Sequence, residues 1–160
     1  MQQRTKDKKA FMLHQKGCDL RREAKSVGHW LSLVTCEEDD EKLWQKYSKL
    51  MARSKELEVI SGYRDEKSFA TKARNYCKPV FDETYITITN ELKKLYAMLS
   101  VTDDPAKRHL LYEKIAAKKK ERWETCTYVS RETGEPIKVT VDQYGKAIFE
   151  LFNVDEGEAV

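Results

Sequence analysis

Two clusters of basic side chains have the composition and spacing that best suit a chemical task. The first 25 residues carry eight basic and three acidic side chains, and residues 105–125 carry seven basic and three acidic ones. Closely spaced lysines and arginines can neutralise phosphate groups, and such binding weakens steeply with added salt. The predicted binding residues are Arg4, Lys8, Lys9, Arg21 and Arg22 in the N-terminal cluster, and Lys107, Arg108, Lys114, Lys118, Lys119, Lys120 and Arg122 in the second cluster.

The charge elsewhere in the chain favours a protein partner over nucleic acid. Residues 37–41 are five consecutive acids, and residues 131–160 carry seven acidic and three basic side chains. These stretches would repel a polyanion, and the net charge of +3 is low for a protein dedicated to nucleic acid. We expect a non-catalytic interaction or regulatory protein, with nucleic-acid binding through the basic helices near residues 4–25 and 107–122 as the alternative. A solvated helix face without any ligand is the third interpretation of such clusters.

No complete catalytic or metal-binding motif is present in the sequence. A P-loop, a Gly-x-Ser-x-Gly motif and a Gly-x-Gly-x-x-Gly motif are all absent. His109 and Glu113 are four residues apart and could share a metal ion on one helix face, but no second pair accompanies them. The sequence therefore predicts no catalytic residue, no metal and no cofactor. An enzyme whose active site is assembled from distant residues is the alternative.

The four cysteines are far apart and match no recognised metal-binding or redox spacing. No two of them form a Cys-x-x-Cys motif. The N-terminal charges are not followed by the apolar stretch of a signal peptide, and no stretch approaches the roughly 18 apolar residues that cross a membrane. We expect four reduced thiols in an intracellular protein of the cytoplasm, nucleus or nucleoid, without membrane contact. The cysteines are Cys18, Cys36, Cys77 and Cys126.

A seven-residue repeat near the N-terminus predicts a tightly packed helical hairpin. Small residues at positions of such a repeat let two helices approach closely. We expect helices at residues 8–34 and 39–60 to pack antiparallel with Ala10, Gly17 and Ala24 at the close contact, and a bend or break near Gly28. The same seam is suited to joining two chains in a homodimer. The repeat consists of Ala10, Gly17, Ala24 and Leu31, with Leu13, Leu20, Val27 and Val34 following three residues behind them.

The middle of the chain predicts further helices, interrupted by a proline. Apolar residues three and four apart run from Phe69 to Val80, and a second such stripe runs from Phe81 to Leu99. Pro79 lies at the junction, so the region is either one long helix kinked there or two helices that meet there. The pair Asp104-Pro105 then marks the start of a helix that runs to about Trp123.

The period of the apolar pattern changes to two after residue 125. Alternating apolar and polar residues predict a three-stranded antiparallel β-meander over residues 125–152, followed by an acidic tail at 153–160. The predicted fold class is α+β and mostly α: a bundle of about four helices, including a long N-terminal helical hairpin, with a small C-terminal meander. We expect a single domain over residues 1–160, of which residues 1–124 form the helical bundle.

Overall fold

A computed structural model describes the backbone of residues 2–66, 69, 77–142 and 147–149, and the side chains of these residues except 2–7 and 147–149. The chain divides into two compact units, Met1–Thr71 and Lys72–Val160. A single domain over the whole chain stays a prediction. The fold class is confirmed: the described residues are mostly helical, with four helices and a three-stranded antiparallel sheet.

The first unit is an antiparallel helical hairpin, as the seven-residue repeat predicts. Helix α1 spans Gln2–Leu31 and helix α2 spans Glu37–Ser61. The Ser54 hydroxyl of α2 donates to the Gly17 carbonyl of α1, and Tyr47 of α2 packs near Ala24 of α1, so the chain directions oppose each other. Helix α1 continues through Gly28, which is buried, so the predicted break there does not occur.

The ends of α2 follow from local sequence. Four acidic residues in its first turn, Glu37 to Asp40, lie at the positive end of the helix dipole. The helix ends at Gly62, whose φ of 78° lies in the left-handed region that a side chain disfavours. Between these ends, Ala24, Val27 and Tyr47 form a buried apolar cluster of the hairpin.

The second unit contains two further antiparallel helices with capped N-termini. Helix α3 spans Glu83–Ser100 and helix α4 spans Pro105–Thr125. The Asp82 carboxylate accepts a 2.9 Å hydrogen bond from the Tyr85 amide, and Asp104 accepts one from the Lys107 amide. The predicted start of α4 at Asp104-Pro105 is therefore confirmed. The stripe that was predicted after Phe81 forms the buried face of α3, with Tyr85, Ile88, Leu92 and Leu99.

The strands of the second unit form two small antiparallel sheets. The first has the order β1-β2-β3, with β1 at Cys77–Pro79, β2 at Tyr128–Ser130 and β3 at Pro136–Ile137. Its register pairs Cys77 with Ser130 and Tyr128 with Ile137. The second is a hairpin of β4 at Val139–Val141 and β5 at Ala147–Phe149. The predicted meander is thus divided between two sheets, and one strand of the three-stranded sheet comes from before α3.

The prediction of a helix that approaches or crosses Pro79 is wrong at residues 77–79, which form strand β1. Proline has no amide hydrogen and disfavours a helical conformation at the residue before it, so Lys78 and Pro79 suit an extended strand. The neighbouring Val80 amide donates a 2.9 Å hydrogen bond to the Thr127 carbonyl, which extends the pairing. The rest of the predicted stripe, at residues 70–76, lies outside the described residues.

The apolar core of the second unit lies where the sheet meets the helices. Cys77 of β1, Tyr85 of α3, Tyr128 of β2 and Ile137 of β3 form one buried cluster. Trp123 packs against this cluster, with its ring centroid 4.5 Å from that of Tyr128. Within the described residues, no helix is both long and apolar enough to span a membrane.

Candidate functional site

The described side chains of the N-terminal basic cluster differ in their surroundings. Lys8 and Lys9 are exposed. Arg22 is also exposed, and its guanidinium lies 3.3 Å from the Asp19 carboxylate one turn earlier. Arg21 is half-buried, with its guanidinium 5.2 Å from the ring centroid of Phe69. The side chain of Arg4 lies outside the described residues, so the structure places four of the five predicted positions.

Two arginines of the second cluster form contacts inside their own unit. Arg108 donates 2.8 Å hydrogen bonds to the carbonyls of Leu99, in the last turn of α3, and of Thr102, which follows the end of that helix. Arg122 is only 6% exposed and donates a 3.0 Å hydrogen bond to the Thr89 hydroxyl. Its guanidinium also lies 5.0 Å from the ring centroid of Tyr85. These two arginines hold α4 against α3, and a ligand in solvent has little access to Arg122.

Most lysines of the second cluster also have intramolecular partners. Lys118 contacts the carboxylates of Glu91 and Glu121, and these hydrogen bonds raise the pKa of its ammonium group. The Lys120 ammonium lies 3.9 Å from a Glu124 carboxylate oxygen. Lys119 lies over an aromatic ring, that of Tyr96. The positive charge of α4 is therefore partly balanced by neighbouring groups.

The remaining lysines of α4 share an exposed surface with apolar residues. Lys107 and Lys114 are exposed and have no ion pair among the described residues. Leu110 lies between them in sequence and is 55% exposed. Ala117 follows Leu110 by two helical turns on the same side of the helix and is exposed as well. This surface combines separate cations with uncovered apolar groups.

A second candidate site is a buried polar cluster between α1 and α2. His14 and Cys18 lie one turn apart on α1, and both reach Glu58 of α2. His14 Nδ1 contacts Glu58 Oε1, and Cys18 Sγ lies 3.5 Å from the same oxygen and 3.7 Å from His14 Nδ1. The ligand atoms of the three side chains all lie within 4.8 Å of one another. We call this group the His14–Cys18–Glu58 cluster.

Neighbouring residues hold the cluster in place. The side chain of Glu58 has no exposed surface, and burial of a carboxylate is costly unless a partner compensates its charge. Arg64 supplies that partner, with Nε 2.7 Å from Glu58 Oε2. Tyr63 stacks on the His14 ring at a centroid distance of 4.2 Å and an interplanar angle of 9°.

Gly17 provides the space that Glu58 occupies. A Cβ atom at residue 17 would lie 2.7 Å from Glu58 Cγ and 3.3 Å from the Ser54 carbonyl oxygen. The glycine on the helix seam thus admits a long charged side chain as well as a close backbone approach. Burial and the Glu58 carboxylate raise the pKa of the Cys18 thiol, because both disfavour a thiolate. The cluster in this form therefore holds Cys18 as a neutral thiol.

No motif in the sequence predicts the His14–Cys18–Glu58 cluster. His14 and Cys18 have the same spacing of four residues as His109 and Glu113, and that spacing was the one indication in the sequence. Glu58 is separated from Cys18 by 40 residues of chain, and nothing local distinguishes it from the solvated glutamates of α2. The other pair with this spacing, His109 and Glu113, has a 3.1 Å contact between His109 Nε2 and a Glu113 carboxylate oxygen, and both side chains are largely exposed.

Comparisons with known proteins give no match. No family model matches the chain, and neither a curated protein nor a solved structure matches it.

Proposed function

We propose that this chain is a non-catalytic interaction protein that binds a protein partner through the exposed surface of α4. The exposure of Leu110 between Lys107 and Lys114 carries the proposal. Residues three and four apart lie on the same side of a helix, so these three side chains form one stripe. Protein interfaces commonly place an apolar group at the centre and charged groups at the rim.

The charge balance of α4 supports a protein partner over nucleic acid. Lys118 and Lys120 already have carboxylate partners, so a phosphate would have to compete with Glu91, Glu121 and Glu124. A polyanion gains most of its affinity from many unpaired cations along one surface. A folded protein with a few acidic groups around an apolar contact matches the separate lysines better.

A partner other than a second copy of this chain is the expected occupant. The homodimer was expected through the helical seam, and Ala24 and Leu31 of that seam are 0% and 4% exposed within one chain. These two residues already pack within one chain, so neither is available to a second copy. We further propose that the partner is met inside a cell, since all four cysteines are free thiols.

A capture experiment with two matched variants tests the proposal. Immobilised wild-type protein and the variants Leu110→Asp and Thr87→Asp would be exposed to a cell extract, and captured proteins would then be purified and titrated. Thr87 is exposed on α3, so its variant adds the same charge away from the stripe. We expect a partner whose affinity falls at least tenfold with Leu110→Asp and is unchanged with Thr87→Asp. A partner that binds all three proteins equally would exclude the α4 stripe.

Titration with labelled single- and double-stranded DNA and RNA tests the nucleic-acid alternative. The variant would combine Lys107→Ala, Lys114→Ala and Lys119→Ala and retain the buried Arg122, so that a loss of binding is not a loss of folding. We expect weak binding at low salt that is absent at moderate salt. Tight, steeply salt-dependent binding that this variant loses would overturn the preference for a protein partner.

A further inference from the structure

We infer that the His14–Cys18–Glu58 cluster is a binding site for a divalent transition-metal ion, with zinc as the best match. The three side chains supply an imidazole nitrogen, a sulfur and a carboxylate oxygen, which are the three donor types that zinc uses in proteins. This site belongs to the α1–α2 hairpin and does not depend on the function proposed for α4.

The separations of the donor atoms suit a tetrahedral ion. A zinc–sulfur bond of about 2.3 Å and a zinc–nitrogen or zinc–oxygen bond of about 2.0 Å place the ligand atoms about 3.5 Å apart. Cys18 Sγ lies 3.5 Å from Glu58 Oε1 and 3.7 Å from His14 Nδ1. The direct contact between His14 and Glu58 is replaced by bonds from both side chains to the ion.

The surroundings supply the contacts that a metal site needs beyond its ligands. Arg64 binds Glu58 Oε2 and so leaves Oε1 for the metal. Tyr63 fixes the plane of the His14 imidazole by stacking on it. Such outer contacts orient ligands and strengthen metal binding. The Cys18 thiolate and the Glu58 carboxylate together cancel the charge of a divalent ion, and the Arg64 guanidinium stays on Glu58 Oε2, the oxygen that faces away from the metal.

Access and proton balance are compatible with reversible loading. The His14 side chain is 24% exposed, so the cluster has a route to solvent, and a water is the expected fourth ligand. The Cys18 thiol transfers its proton to water or buffer when the Sγ–metal bond forms, and His14 binds as a neutral imidazole. Cys18 therefore releases one proton per ion bound. No oxidant or reductant takes part.

Titration of the native full-length chain with cobalt(II), followed by zinc(II), tests the site. Tetrahedral cobalt with a thiolate ligand gives visible absorption bands and a sulfur-to-metal charge-transfer band in the near ultraviolet. We expect one equivalent of cobalt to produce both features and one equivalent of zinc to remove them. Competition with a chelator then gives the zinc affinity. Zinc should also raise the midpoint of thermal unfolding, because it binds the folded hairpin and not the unfolded chain.

Variants with a matched control identify the ligands. We expect Cys18→Ser to abolish the charge-transfer band, and Cys18→Ser and His14→Ala each to weaken zinc binding by at least about a hundredfold. Cys36→Ser removes an exposed thiol of the same hairpin and His109→Ala removes an exposed imidazole, so both should bind zinc like the wild type. Circular dichroism in the absence of metal establishes that each variant is folded. Absence of stoichiometric binding, or full affinity in folded Cys18→Ser, or loss of binding in His109→Ala, would overturn the inference.

Discussion

The Ser54 hydroxyl donates a 2.7 Å hydrogen bond to the main-chain carbonyl of Gly17, across the interface of two helices. Ser54 is fully buried, and a Cβ atom on residue 17 would come within 3.3 Å of its carbonyl oxygen. The helices are close at this level because residue 17 has no side chain. The same proximity admits Glu58 to the interface, so one glycine determines both the packing and the buried polar cluster.

The variant Gly17→Leu should destabilise the hairpin. Leucine forms helices better than glycine by almost 1 kcal/mol, but its side chain would displace Glu58 and separate the helices. Such overpacking costs about 1–3 kcal/mol, so we expect a net loss in the free energy of unfolding. Urea denaturation would measure it, with Gln15→Leu as the control at an exposed position of α1. Equal or higher stability of Gly17→Leu would refute the close contact.

The variant Arg108→Ala should destabilise the second unit. Arg108 donates two charge-assisted hydrogen bonds, to the carbonyl of Leu99 in the last turn of α3 and to the carbonyl of Thr102 in the segment after it. Their loss should lower the free energy of unfolding by about 1–3 kcal/mol. Lys107→Ala removes a neighbouring exposed charge without such contacts and should change it by less than about 0.5 kcal/mol. Similar stability of the two variants would exclude a structural role for Arg108.

The variant Arg122→Ala should also lower stability, by about 2 kcal/mol. The variant lacks the buried hydrogen bond from Arg122 to Thr89 and the cation–π contact of Arg122 with Tyr85. Each of these contacts contributes on the order of 1 kcal/mol to stability. Arg122→Lys should restore only part of the loss, because an ammonium group lacks the planar guanidinium that lies over the ring. Lys114→Ala is the exposed control on the same helix, and thermal unfolding followed by circular dichroism gives the comparison.

Cys77 predicts a loss of stability at alkaline pH. Burial raises the pKa of this thiol from 9.0 to about 12, because a thiolate is poorly solvated in the core. Between these pH values the unfolded chain releases the proton and the folded chain retains it, so rising pH favours unfolding. The resulting loss in the free energy of unfolding is absent well below pH 9 and reaches about 1.4 kcal/mol at pH 10.

Urea denaturation of wild type and Cys77→Ala at pH 8 and pH 10 isolates this contribution. The variant should lose about 1.4 kcal/mol less than the wild type over that interval, whatever its stability at pH 8. Cys36→Ala, which removes an exposed thiol, should follow the wild type. An identical pH dependence in wild type and Cys77→Ala would show that the Cys77 thiol ionises alike in the folded and unfolded chain.

Local sequence determined the helices and their ends. Asp104 caps α4, Pro105 occupies its first turn, and Gly62 ends α2 in a left-handed conformation. These features act within one turn of chain, so the residues alone specify them. The hairpin of α1 and α2 was equally predictable, because its repeat needs only helical periodicity and one short connection.

The tertiary structure decided the pairings between distant residues. Cys77 joins β2 only because Ser130 is brought beside it, 53 positions later in the chain, and a pattern within residues 69–80 favoured helix. Glu58 became a potential metal ligand because Gly17 leaves room for it, and Arg122 became a core residue because Thr89 and Tyr85 face it. The charge of a side chain and its place in the apolar period depend only on the sequence of its own helix. Its burial and partners depend on what the rest of the fold places opposite it, and that is why the sequence identified the charged residues of this protein but not their roles.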